Sequence, residues 1–437
     1  MNKDALTTEG GKAAIWDIIV IGGGPAGMMA AARAAKRAAD EDRNIRILLL
    51  EKNDSLGKKL LITGGGRCNV TNAETDNRAL LSKFKDDGKF LFSAFSQHSV
   101  TETLEFFHSH GMQTKVEEGR RVFPVSDSSR SVWNTLLACL EGDDRAGRNP
   151  VTVRSNCAVT GFVQTKPGII DGAKVKNGEI IRGHSFILAT GGTSHPETGS
   201  TGDGFDWLAK VGHTIVKPTS ALVPIRVSDA WVKAISGTTL ADAKITIFQN
   251  DVKQSVSKGK VLFTHFGLSG PAILNMSSEV GELMKYGSVV LSLDLLPEHD
   301  FATLNVALQQ LFTAEAKKKF KNAITALIPA AFVPIILEKS GIHGDVPCND
   351  ITREERISLM KLLKDLRIHP TSLLGADKAI VTSGGVALSE VDFRTMRSRL
   401  ISNLYLVGDV LNIDRPSGGY SLQICWTTGW VAGNSAI

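Results

Sequence analysis

The chain has 437 residues, 42% of them hydrophobic and 22% charged, with a formal net charge of +5: the composition of an ordinary globular protein of two or three domains, able to enclose a cofactor. No basic stripe interleaved with aromatic residues occurs, so nucleic-acid binding is not expected. The five cysteines are scattered and form no CxxC pair, which argues against a disulfide framework or a metal or iron–sulfur site and points to the cytoplasm.

Residues up to Trp16 are polar and lack the apolar core of a signal peptide. Residues 17–21 (Asp-Ile-Ile-Val-Ile) read as a short strand, residues 25–39 as an Ala-rich helix, and residues 45–51 as a second apolar strand. This is a βαβ unit, which predicts a parallel sheet. Between the first strand and the helix stands Gly22-Gly23-Gly24-Pro25-Ala26-Gly27, a GxGxxG in the context that gives it meaning. Gly22 permits the tight turn, Gly24 lets backbone approach a pyrophosphate, and Gly27 lets the helix pack closely on the strand. The helix start offers free N–H groups and a partial positive charge to phosphates. Glu51 ends the second strand, 24 residues beyond Gly27, where a carboxylate can accept ribose hydroxyls.

Three consecutive glycines at 64–66 let backbone lie against something flat or phosphorylated, with Arg67 as a phosphate partner or a surface ion pair. Cys68 reads as a small buried residue rather than a redox thiol. Residues 151–190 alternate short strands and turns, ending in Phe186-Ile187-Leu188-Ala189-Thr190 before Gly191-Gly192. A helix is expected over 203–212, capped by Asp203. The texture changes near Lys217-Pro218: residues 219–300 are β-rich, 302–322, 328–339 and 353–365 read as helices, and strands return over 379–410. The most apolar runs, 18–32 and 326–337, are respectively broken by glycines and too short to cross a bilayer, so no membrane association is expected. The expected organisation is a discontinuous domain over 1–218 and 380–437, an inserted β-rich substrate domain over 219–300 and 366–379, and a helical cap over 301–365.

The C-terminal end separates FAD from NAD. Leu404-Tyr405-Leu406-Val407-Gly408-Asp409 is a strand delivering an acid suited to a ribityl chain, which NAD lacks. Pro416-Ser417-Gly418-Gly419-Tyr420-Ser421 then feeds a helix over 421–432, a second anion site that would stabilise negative charge on a reduced flavin ring.

Taken in order, IIVIGGGPAGMMAA, GKKLLITGGGRCNVTN, LATGGTSHPETGSTGDGFDWLAKVGH, VLFTHFGLSGPAIL, VTSGGVALSEVDFRTM and LYLVGDVLNIDRPSGGYSLQICWTTGWVAG resemble the BaiN-type, or aminoacetone-oxidase-type, FAD-binding flavoproteins. The resemblance implies an α/β architecture: a glutathione-reductase-like FAD-binding Rossmann domain with an inserted β-barrel-like domain and a small helical cap. It implies FAD contacts at Gly22, Gly24, Pro25, Ala26, Gly27, Glu51, Lys52, Lys59, Gly66, Arg67, Cys68, Asn69, Val159, Thr190, Gly191, Gly408, Asp409, Gly418, Gly419, Tyr420, Ser421 and Leu422. Asp409 stands where the family commonly has Glu, Asn412 where it has Asp, and His195 where it often has Tyr. The implied activity is hydride transfer between flavin and a small organic substrate, with two branches. One is an oxidase of aminoacetone-type amines. The other is a reductase of an activated alkene or ketone, with NAD(P)H as a transient donor because a second GxGxxG is absent. No catalytic acid or base declares itself; His195, His265 and Arg415 are polar candidates for which a structural role is the simpler reading. A flavin-binding accessory protein without turnover is the rival from another class. An NAD-only dehydrogenase leaves Gly408-Asp409 and the terminal glycine loop unexplained.

Overall fold

The computed structural model describes residues 15–141, 150–375 and 381–437, so residues 1–14 and the expected return near 380 lie outside what is described. The chain divides into two compact units, Met1–Ser220 with Ile380–Ile437, and Ala221–Ala379.

The first unit is organised by five parallel strands in the order Leu404–Leu406, Ile180–Leu188, Trp16–Ile21, Ile47–Leu50 and Thr152–Arg154. Ile18–Ile21 and Ile47–Leu50 are each at most 3% exposed. Continuous Ile/Val/Leu runs of this kind suit strands buried on both faces, whereas a half-exposed strand would alternate. The helix Pro25–Asp40 follows the first strand and packs on the last helix, Tyr420–Ser435. Small residues make this close: a Cβ on Gly429 would fall 2.5 Å from the Ala26 carbonyl oxygen, and one on Gly433 would fall 2.2 Å from that of Ala30. The two ends of the chain therefore meet backbone against backbone. Between Ile47–Leu50 and Thr152–Arg154 run the helices Asn77–Leu81, Gly88–Phe95, Val100–Ser109 and Ser129–Glu141. Val100–Ser109 starts with a capping box, in which Ser99 and Glu102 satisfy each other's backbone N–H groups.

In the second unit seven strands form one antiparallel sheet, in the order Leu366–Ile368, Val289–Asp294, Thr239–Gln249, Val252–Thr264, Gly267–Ser269, Ile225–Val227 and Pro370–Leu373. The first and last strands of that order are separated in sequence by His369 alone, so the sheet rolls until its edges meet. The helices Phe301–Ala314, Val333–Ser340 and Arg353–Lys364 bury Leu308, Phe312, Ile336 and Leu363 in the same core as the strands.

Two helices expected from the sequence differ in form. The run 302–322 breaks after Ala314, because backbone N–H groups of Phe320, Cys348 and Asn349 bond the carbonyls of Val346, Lys318 and Ala316. These cross-links replace the helical ladder over 315–319. The run 328–339 starts as a 3₁₀ turn, Ala330–Phe332, before the helix Val333–Ser340. Pro334 sits in its first turn, where a missing N–H costs nothing.

Candidate functional site: a dinucleotide cleft

The glycines after the first strand are under three different constraints. Gly22 has φ +108°, and a Cβ there would lie 2.4 Å from the Ala189 carbonyl oxygen. At Gly27 a Cβ would come within 1.9 Å of the Gly22 oxygen, so the helix could not seat. Gly24 is extended (φ −77°, ψ −177°), and nothing lies within 4 Å of the position its Cβ would take. Gly24 caps the 16-residue helix Pro25–Asp40 with no side-chain bond to the first-turn N–H groups. Unsatisfied donors and the positive helix end thus point at space kept open by an absent side chain, which is the donor arrangement of a phosphate site.

Glu51 is buried and accepts the N–H of Gly23 and of Asn53, each at 2.8 Å. A carboxylate has lone pairs to spare after two such bonds, and Glu51 lines the same open space. That space is a cleft of about 1200 Å³, counted to its open mouth, lined by residues of the first unit alone. Lys52 reaches across to Asp203 at 2.9 Å and Thr201 at 2.5 Å, and the Asn53 amide donates to the Thr198 carbonyl at 3.0 Å. These bonds strap residues 198–203 onto the end of the second strand. They also correct the expected cap at Asp203: Gly202, with φ +81°, takes the cap position, and Asp203 is the first residue of the helix Asp203–Lys210, its carboxylate drawn off to Lys52. Thr190 lines the cleft with a buried hydroxyl that has no hydrogen-bond partner among the described residues.

Asp409 is a further acid of the cleft, beside Glu51 and Asp203. The Arg415 guanidinium, its side chain wholly buried, pairs with one oxygen, and the Lys59 ammonium stands 3.5 Å from the other. Burial works to raise the Asp409 pKa, but Arg415 and Lys59 outweigh it and hold the carboxyl below the usual aspartate range. Lys59 also donates to Ser194 Oγ at 2.5 Å. Arg415 also donates to Ser421 Oγ at 3.1 Å and to the Ile413 carbonyl at 2.7 Å.

Of the residues expected to meet the cofactor, Gly22, Gly24, Pro25, Ala26, Glu51, Lys52, Lys59, Val159, Thr190, Gly191, Asp409, Ser421 and Leu422 line this cleft. The others are not part of its lining. Gly27 seats the helix, and Gly408, with φ +69°, backs onto Ala26. Arg67 pairs with Glu117 and Asp127 and lies 4.1 Å over the Phe123 ring. Gly66, with φ +86°, completes the glycine turn beside it. The Cys68 thiol is fully buried, and burial pushes its pKa up to about 12, so it is inert at neutral pH. Asn69 keeps a buried side-chain oxygen without a partner among the described residues. Gly419 presses on Thr71, where a Cβ would fall 2.4 Å from the carbonyl oxygen, and the Asn72 amide donates to the Gly418 carbonyl at 3.3 Å. Tyr420 packs edge-on to Phe84. Among the polar candidates, His195 pairs with Glu197 at 2.8 Å, and His265 belongs to the second unit, packed against Phe266. Cys157, Trp207 and Cys425 also line the cleft and were not among the expected contacts: Cys157 stands outside the quoted strings, and Trp207 and Cys425 lie within them without a charge or glycine to single them out.

A flavin dinucleotide asks for uncapped donors for its phosphates, an acid for its ribose and a second acid for its ribityl chain. The uncapped helix at Gly24, Glu51, and Asp409 held between two cations meet these needs in one cleft, and the orphaned Thr190 hydroxyl leaves a donor for a guest.

Comparison with known proteins agrees with this fit. The family model described as the HI0933-like protein Rossmann domain matches residues 16–435. A 3-dehydro-bile acid delta(4,6)-reductase of Clostridium scindens is 30% identical over 401 residues, covering 91% of this chain and 94% of the relative. A ribosomal RNA dihydrouridine synthase of Escherichia coli is 28% identical over 425 residues, covering 97% of this chain and 98% of the relative. Among solved structures, the open conformation of a flavocytochrome c3 fumarate reductase superposes with a TM-score of 0.52 at 16% identity, over 98% of this chain and 79% of that one. That likeness concerns the fold.

Proposed function

We propose that this chain, which belongs to the HI0933-like Rossmann-domain family and is an FAD-dependent oxidoreductase, reduces a carbon–carbon double bond conjugated to a carbonyl. The observation that carries this reading is that two relatives, each aligned over nine-tenths or more of both chains, bear names describing that one kind of reduction. The delta(4,6) double bonds conjugated to a 3-oxo group and the C5=C6 bond of uridine are all alkenes polarised by a carbonyl. Each takes a hydride at the carbon remote from the carbonyl and a proton at the nearer one. Bound FAD, once reduced by NAD(P)H, supplies the hydride. The chain supplies the rest. Backbone donors at Gly24, Ala26 and Gly191 would take the phosphates, Glu51 would accept from the ribose, Val159 would meet the adenine and Asp409 would accept from the ribityl hydroxyls. Ser421 and Leu422, in the first turn of the last helix, line the cleft, so that helix's positive end would face the ring. A reducing cytoplasmic setting suits five unpaired cysteines.

The substrate in this reading is a small unsaturated carbonyl compound. A second reading, a uracil ring within ribosomal RNA, is favoured by the end-to-end match to the dihydrouridine synthase. Among the described residues no helix is long and apolar enough to cross a membrane.

The test is anaerobic. NADH or NADPH should bleach the flavin, and a steroidal 4-en-3-one or a uridine-containing ribosomal RNA should restore its colour with a product heavier by two hydrogens. Recovery of colour by oxygen alone, with peroxide released and neither acceptor reduced, would leave the oxidase reading in its place. Dihydrouridine missing from the ribosomal RNA of a deletion strain would select the second reading.

A further inference from the structure

We propose that Arg415 is the positioning residue of the flavin site, fixing the Asp409 carboxylate in the cleft as an acceptor and tying it to the first turn of the last helix. This rests on the reading of Asp409 as a ligand acceptor.

Arg415 is heavily committed beside the cleft. Its side chain is fully buried, and its guanidinium serves three partners along the segment 409–421. One nitrogen pairs with Asp409 Oδ1, a second donates to the Ile413 carbonyl at 2.7 Å, and Nε donates to Ser421 Oγ at 3.1 Å. Asp409 and Ser421 both line the cleft, while Arg415 does not. Arg415 therefore acts on a guest only through them. The planar fork is what permits it: a lysine presents a single point charge and cannot hold three acceptors in one plane.

The groups facing Asp409 are few. They are Arg415, Lys59 at 3.5 Å and the thiol of Cys425, which burial keeps protonated. Lys59 is the weaker partner, since its ammonium is shared with Ser194 at 2.5 Å. Without Arg415, Asp409 would be a buried carboxylate with Lys59 as its one remaining cation, and burial would then push its pKa up. A protonated Asp409 loses acceptor capacity for hydroxyl donors. Arg415 thus keeps flavin binding independent of pH, a property that packing alone would not supply.

The experiment is FAD titration of apoprotein, followed by flavin fluorescence from about pH 5.5 to 8.5, on the full chain and on R415Q, R415K, D409N and R415Q/D409N. The wild type is expected to stay flat. R415Q should bind about tenfold more weakly at the alkaline end, and affinity should fall by up to about tenfold per further pH unit downward. D409N should be weak and flat, and adding D409N to R415Q should abolish the pH dependence. R415K, which keeps the charge and loses the fork, should stay flat with affinity down about threefold, and it serves as the reading if R415Q does not fold. An R415Q profile that stays flat beside a weakened D409N overturns the proposal alone, as does R415K binding at wild-type strength. D409N binding FAD as tightly as wild type overturns the reading of Asp409 and takes the proposal with it.

Discussion

Gly24 and Gly22 stand two positions apart and forbid side chains for opposite reasons. At Gly24 the backbone is open to any residue and the Cβ position is empty, so what a side chain would displace is the guest. Gly24→Val should leave the apoprotein melting within about 2 °C of wild type, as expected for a change that costs the fold little. FAD affinity should fall by about 100-fold, or roughly 2.7 kcal/mol. Gly22→Ala should instead lower the melting temperature of the apoprotein, because its Cβ meets the Ala189 carbonyl at a positive φ. Thermal melts of the two apoproteins with FAD titration of each separate the effects. His98 makes a different claim. It is 2% exposed, stacked on Trp430 at 5.2 Å, and burial lowers its pKa from 6.5 to about 4, an effect Arg33 adds to and Glu102 opposes. The folded state therefore prefers the neutral ring, while the unfolded chain takes a proton below 6.5. Stability is full above pH 6.5 and is lost as pH falls towards 4, by about 3 kcal/mol in total. Urea melts over that window should show the loss, and His98→Phe should remove most of this contribution.

The helices Pro25–Asp40 and Tyr420–Ser435 carry the site because they touch through glycine and alanine. Replacing Gly433 by Ala would ordinarily favour a helix by up to about 1 kcal/mol. Here the added methyl would lie 2.2 Å from the Ala30 carbonyl oxygen, and backbone cannot step aside as a flexible side chain can. Overpacking of this kind costs about 1–3 kcal/mol, so the clash wins. Gly433→Ala should lower the melting temperature and, by moving one helix off the other, reduce the flavin retained on purification. A variant melting higher than wild type would show the helices able to part without loss. The buried Gln423 has a parallel role: its amide donates to the Ser99 carbonyl at 3.2 Å and to Thr103 at 2.9 Å, while its oxygen accepts the Thr71 hydroxyl at 2.6 Å. One side chain thereby joins the last helix to two earlier segments.

Each of the two units has its own hydrophobic core. The cleft draws its lining from the first unit alone, so FAD stabilises that unit by mass action. Scanning calorimetry should resolve two transitions, of which FAD raises one, by about 2.7 kcal/mol at a concentration 100-fold above its dissociation constant. A single transition shifted as a block would show the cores unfolding together. The second unit's transition should instead respond to Lys364→Met, which strands the buried Asp294 carboxylate now paired at 2.7 Å.

Local chemistry is legible along the chain because it depends on neighbours in sequence. The turn at Gly22–Gly27, the strand that ends in Glu51, the start of the last helix and the change of texture near residue 217 all follow from residue type and spacing. So does the expectation of FAD, since Gly408-Asp409 closes a strand and a glycine loop opens a helix. What no spacing could reveal is which of these segments face the guest. Arg67 and Cys68 belong to the most distinctive string in the chain, yet one is committed to Glu117 and Asp127 and the other is sealed in the core. Arg415, a polar candidate in the C-terminal string whose partners the string does not reveal, is held between Asp409 and Ser421. The physical reason is range: backbone propensity and capping act over three or four residues, whereas ion pairing, burial and close packing act beyond the helical turn, from six positions for Arg415 and Asp409 to sixty for Arg67 and Asp127, and those contacts exist only once the chain has folded.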